Sequence, residues 1–139
     1  MKKSELSLSH IKNMNNSLKI CFADYQAQPD EKIKEYIKDS CVQRFEYTYE
    51  VAKKIMNKFL KKEYEKSDKE LTINNIFRQM FGLGMIENFE RWASYRECRN
   101  FTSHEYDQKN AEQIIEHVPD FIKDVAYLIS ALEKVLTND

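Results

Sequence analysis

Residues 31–64 read EKIKEYIKDSCVQRFEYTYEVAKKIMNKFLKKEY, and this stretch decides the fold class. Ile33, Ile37, Cys41, Phe45, Tyr49, Ala52, Met56 and Phe59 recur at steps of three and four, the stripe of one long helix. Pro29-Asp30 marks the turn before it, with Asp30 placed to cap its N-terminus. Aromatics at 45, 47 and 49 cannot all face one core, because each residue turns the helix by about 100°. Phe45 and Tyr49 stay on the stripe. Tyr47 goes to the far side beside Gln43 and Glu50, either as a surface ring lying across its neighbours or as a contact for another chain.

Working outward, residues 5–27 place Leu8, Ile11, Met14, Leu18, Cys21, Phe22 and Tyr25 at helical spacing. After the long helix comes a polar loop, EKSDKE. A short helix is expected over 73–81, capped by Thr72 and closed at GLG, where both glycines of the chain sit. Another helix is expected over 86–101 and a last one over 108–136, with Asp107 as its cap and Pro119 bending or interrupting it. Helices this long with short loops predict an all-α fold, an antiparallel up-and-down four-helix bundle with one short extra helix, as a single domain over 1–139.

The totals agree. The chain has 139 residues, 42% hydrophobic and 32% charged, enough for one core and unlike a disordered chain. Two glycines and two prolines leave little turn chemistry for a sheet. A net charge of −1 gives no global pull toward nucleic acid, so any RNA contact has to be local. Cys21, Cys41 and Cys98 are odd in number, widely spaced and without a CxxC pair, which reads as reduced cytosolic thiols. The start, MKKSELSLSH, has no apolar run behind its lysines, so it is not a signal peptide, and no stretch reaches a membrane span. A cytoplasmic protein is expected.

One segment departs from a simple core pattern. Met85, Ile86, Phe89, Trp92 and Ala93 make an apolar face that next receives Arg96, Arg99 and Asn100, with Cys98 projected to the opposite side. Guanidinium groups on such a face need partners. Either Arg96 and Arg99 pair with acids such as Glu46 or Glu50, or they form an anion site, since the guanidinium fork suits phosphate oxygens. On one unbroken helix Arg99 and His104 would stand about 140° apart. Convergence then needs a helix end near Thr102-Ser103 that turns His104 back, or two copies meeting across a dimer axis.

The spacing Arg99-NFTS-His104-E-Tyr106 resembles the signature of HEPN proteins of the HepT type, the small helical partners of minimal nucleotidyltransferases. QRFEYTYEVAKK resembles that family's other marker, a long helix with alternating aromatics, and FRQMFGLGMIE through RNFTSHEYD matches in order and spacing. The similarity covers about 41–136. Lys53 stands where members often carry Trp, so packing or partner contact there differs. The resemblance implies a homodimer with two Arg99/His104 pairs near its axis, acting as a metal-independent ribonuclease toxin. It further implies a cognate nucleotidyltransferase as antitoxin, transferring AMP groups to Tyr106. In the family's older description the helical protein is a non-catalytic subunit that presents substrate to the transferase.

The residues themselves suit RNA cleavage. The substrate's 2′-hydroxyl is the nucleophile, so the protein needs only a proton carrier and a countercharge. His104, with an ordinary pKa near 6.5, moves the proton; Arg99 offsets charge on the phosphorane; Asn100 orients the phosphate or imidazole, and Arg96 holds a neighbouring phosphate. Tyr47 and Glu50 are the candidate partner contacts. No cofactor is called for, and no Asp/Glu/His cluster has metal-ligand spacing. His10 and His117 read as surface histidines, and Thr102 and Ser103 as capping groups. Lys53, Lys54, Lys58, Lys61, Lys62 and Lys66 read as a solvated face or as a weak RNA-backbone track. Three functions stay open: a ribonuclease, a docking subunit, and a purely structural bundle with a polar network.

Overall fold

The computed structural model describes the backbone of residues 7–104 and 108–137, and their side chains apart from 101–104, 108, 109 and 137. Five helices follow one another: α1 (Ser9–Ala27), α2 (Glu31–Tyr64), α3 (Ile73–Gly82), α4 (Phe89–His104) and α5 (Gln108–Thr137). Asp30 caps α2 as expected, its carboxylate accepting from the backbone N–H of Lys32 and Ile33 at 2.9 and 3.1 Å. Thr72 occupies the N-cap position of α3, but its side chain makes no capping bond. Gly84 takes φ +75° just beyond α3, a conformation that residues with a Cβ avoid.

The main helices run up, down, up and down. Lys12 of α1 pairs with Glu133 near the end of α5 at 3.0 Å, so those two are antiparallel. Phe45 of α2 meets Phe121 of α5 with ring centroids 4.7 Å apart, and Arg91 of α4 reaches Asp124 of α5. The core is one cluster in which Phe45, Phe77, Trp92, Tyr95 and Phe121 are fully buried. Trp92 stands 5.8 Å from Phe77, 5.4 Å from Tyr95 and 5.9 Å from Phe121. The pairs with Tyr95 and Phe121 are edge-to-face, and such pairs add about 0.5–1.5 kcal/mol each beyond their burial. Tyr47 is 66% exposed between the buried Phe45 and Tyr49, as the 100° turn requires.

Of the two outcomes expected at Pro119, interruption does not occur: α5 runs through it. Proline removes its own N–H from the ladder and crowds the carbonyl four residues back, and the buried Val118, Phe121 and Val125 hold the backbone helical on the apolar side. α4 begins three residues later than expected and extends through His104, so no break follows residue 101. Asp107, expected to cap α5, lies outside the described residues.

Candidate functional site

The buried stripe of α4 differs from the one expected. Trp92, Tyr95 and Cys98 face the core, so the stripe centres on Tyr95 and Cys98 is on it, not opposite. Steps of three drift backward by about 60° around a helix. The face therefore swings away from Ala93 and Arg96, and Arg91 and Arg99, each about 40° from Tyr95, fall on the same arc, flanking Tyr95 by one turn on either side along the axis. Each flanking arginine meets carboxylates, in two different settings.

Arg91 donates from Nε and Nη2 to Asp124 at 2.8 and 2.7 Å, and the hydroxyl of Tyr95 donates to the same carboxylate. Asp124 is 3% exposed. Burial and the bond to Asp124 push the Tyr95 phenol well above its ordinary value. This is a structural network built on a buried carboxylate, with Arg91 itself 37% exposed and also bound to Glu87, and sequence reasoning missed all three members. Its signal was present: Tyr95 follows Trp92 by three residues, and Asp124 interrupts the apolar series Phe121, Val125, Leu128.

Arg99 donates from Nε to Glu50 at 3.0 Å and pairs through Nη2 with Glu46 at 3.3 Å. Glu46 and Glu50 are one turn apart on α2, which puts both on the face that α4 crosses. This is the pairing expectation for Arg99. The setting is open: the side chains of Arg99, Glu46 and Glu50 are 24%, 34% and 32% exposed. Arg96 instead points to α3, its Nη1 3.5 Å from Asn74 Oδ1, and Asn100 is exposed. His104 is the last residue of α4; its side chain, like all of Tyr106, lies outside the described residues.

Glu50 also binds Lys53 at 3.4 Å and forms one edge of a groove of about 750 Å³. Tyr47, Lys53, Lys54 and Lys58 line it from α2, over an apolar floor of Val51, Ile73 and Ile76. Arg96, Arg99 and the three lysines against Glu46 and Glu50 leave a local surplus of positive charge on a chain whose net charge is −1. Among the described residues, no group of three or more His, Cys, Asp or Glu is placed to hold a metal ion, and no helix is long and apolar enough to cross a membrane.

Fold and site together define a small all-helical module whose fourth helix brings an arginine to a half-open, basic surface and ends on a histidine. The chain belongs to the nucleotidyltransferase substrate-binding protein-like family, whose profile matches residues 6–134. It is 30% identical over 95 residues to the probable ribonuclease HepT of Haemophilus influenzae. That alignment takes in 67% of this chain and 65% of the relative's length. A solved Haemophilus influenzae structure, described as the fold of a substrate-binding domain of a nucleotidyltransferase, superposes with a TM-score of 0.81 at 25% identity, covering 91% of this chain and 99% of the other. A Thermus thermophilus protein shares the fold at 19% identity, with a TM-score of 0.73 over 88% of this chain and 98% of its own. The chain is a HepT-type protein with the helical-bundle fold that the resemblance implied.

Proposed function

We propose that the protein is the toxin-like member of a nucleotidyltransferase–HEPN pair, a metal-independent endoribonuclease whose centre is shared between two copies of the chain. The observation that carries the shared centre is the continuity of α4 through His104. Five residues of unbroken helix separate positions 99 and 104 by about 140° around the axis, which supports a centre drawn from two chains over one drawn from a single chain. A two-fold pairing brings both to the same phosphate, with Arg99 of one copy opposite His104 of the other.

In this reading the RNA 2′-hydroxyl attacks the adjacent phosphorus, giving up its proton to His104, and the 5′-oxygen leaves with that proton returned by the imidazolium. Arg99 offsets the charge on the phosphorane oxygens. Glu46 and Glu50 hold its guanidinium in place beforehand and are exposed enough for a phosphate to displace one of them. Arg96 and Asn100 take the neighbouring phosphate, and Lys53, Lys54 and Lys58 guide the strand along the groove. Tyr47, whose ring stands in water, is the contact offered to the transferase. AMP added to Tyr106, two residues from His104, places bulk and negative charge at the site and repels RNA.

Expression of the chain alone tests this. Wild type should arrest growth and degrade RNA, and His104→Ala should lower cleavage by about 10²–10⁴-fold. Equal growth and intact RNA for both would remove the ribonuclease reading. One observation favours a second reading, a non-catalytic subunit that docks the transferase and presents Tyr106: two glutamates already offset the charge of Arg99. That reading keeps an AMP mass shift on wild type, absent from Tyr106→Phe, while neither chain is toxic.

A further inference from the structure

A separate groove of about 520 Å³ opens between α1 and α2, lined by Ser17, Cys21, Asp24, Ile37, Ser40 and Arg44. In its wall Cys21 Sγ lies 3.1 Å from Cys41 Sγ. The two residues are twenty apart in sequence, and the antiparallel crossing of α1 and α2 brings them together. Both are free thiols; Cys21 is half-buried and borders the groove, whereas Cys41 is fully buried behind it. Arg44 of α2 ties this register: its Nε donates to Ser17 Oγ of α1 at 2.9 Å, while its Nη1 binds Ser40 on its own helix. We propose that Cys21 and Cys41 form a dithiol modification site, which accepts a low-molecular-weight disulfide from the groove and closes to a disulfide joining α1 to α2.

The roles of the two sulfurs follow from their access. Cys21, the thiol that borders the groove, enters first: its thiolate attacks one sulfur of the small disulfide, forms a mixed disulfide and releases the first small thiolate. That thiolate takes up the proton of Cys41. The Cys41 thiolate then attacks Cys21 Sγ, forming the internal bond and expelling the second small thiolate. Two electrons pass from the pair to the oxidant, and the two thiol protons end on the two departing thiols. Burial, and then the bond to Cys21, hold the Cys41 thiol above its ordinary range, so Cys41 does not supply the first thiolate. A sulfur–sulfur bond is about 2.0 Å long, so closing it brings the two sulfurs nearer by about 1 Å. Cys98, buried on α4, is not among the groove residues and serves as an internal control.

The test is a thiol count on the full chain after incubation with oxidised glutathione, followed by denaturation and alkylation with N-ethylmaleimide. The expected product carries a single maleimide, on Cys98, and a linked Cys21–Cys41 peptide; dithiothreitol restores three alkylated cysteines. Closing this loop should raise the thermal midpoint by roughly 5–10 °C, reversibly. Three alkylated cysteines after oxidation would overturn the proposal, as would a persistent glutathione adduct on Cys21 or a bridge involving Cys98. Cys21→Ala, at the half-buried position, should take two maleimides and show no rise with oxidant; a rise in that variant would also overturn it. None of these readouts depends on ribonuclease activity.

Discussion

Asp124 and Glu50 are both carboxylates bound to an arginine of α4, and burial separates their consequences. Asp124 is 3% exposed and serves two donors, Arg91 and Tyr95. Asp124→Asn should cost about 2–4 kcal/mol of folding free energy, because it strips charge from a buried, shared acceptor. Glu46→Gln, at a half-exposed pair, should cost less than about 1 kcal/mol. Urea denaturation of the two variants measures this, and equal losses would refute the distinction. Tyr49 offers a second contrast at this scale. Its ring is 2% exposed and its hydroxyl has no partner among the described residues. Burial, with the charge of Glu50 adding to it, pushes the phenol well above its ordinary value near 10. Burial likewise pushes the Cys98 thiol up from 9.0 to about 11. In both cases the folded chain holds a proton that the unfolded chain releases first. Stability from these groups is therefore complete below roughly pH 8 and declines as pH rises through 9 and 10. Tyr49→Phe should flatten that decline while changing stability at pH 7 by less than about 1 kcal/mol. Identical slopes for the two proteins above pH 9 would contradict the assignment.

Among the elements, α2 and α3 begin with similar capping residues and are predicted to respond differently. Asp30 accepts two backbone N–H groups, and Thr72 accepts none through its side chain. Asp30→Ala should cost about 1 kcal/mol, and Thr72→Ala only a few tenths. Thermal unfolding of the pair checks it; a larger loss at Thr72 would mean that α3 depends on a bond the described geometry does not contain. The same scale explains why the buried stripe of α4 differs from the one its first apolar residues predict. Its apolar residues, extrapolated from Trp92 and Ala93, lead to Arg96 and Asn100. Tyr95 and Cys98 pull the buried stripe the other way, and the large ring decides because it buries more area.

At the scale of the whole molecule, the proposed shared centre makes a quantitative demand. Arg99→Ala and His104→Ala homodimers should each be inactive. Mixed by refolding together, half of the dimers are heterodimers, each with one intact and one empty centre, so about a quarter of wild-type cleavage returns. No recovery, with heterodimers demonstrated by mass, would place Arg99 and His104 of a single chain in one centre instead. Subunit exchange thus tests the architecture separately from the toxicity comparison, which tests whether any cleavage occurs.

The sequence by itself determined the helical class, the span of α2, the cap at Asp30, the split of Phe45 and Tyr49 from Tyr47, and the family resemblance. Each rests on periodicity or on spacing along the chain, which local geometry converts directly into faces and ends. The tertiary structure alone decided the pairing of Arg99 with Glu46 and Glu50, the Arg91–Asp124–Tyr95 network and the approach of Cys21 to Cys41. Those contacts join helices that are distant in sequence, and the angle and register at which two helices cross are set by how their side chains pack, which no single stripe encodes.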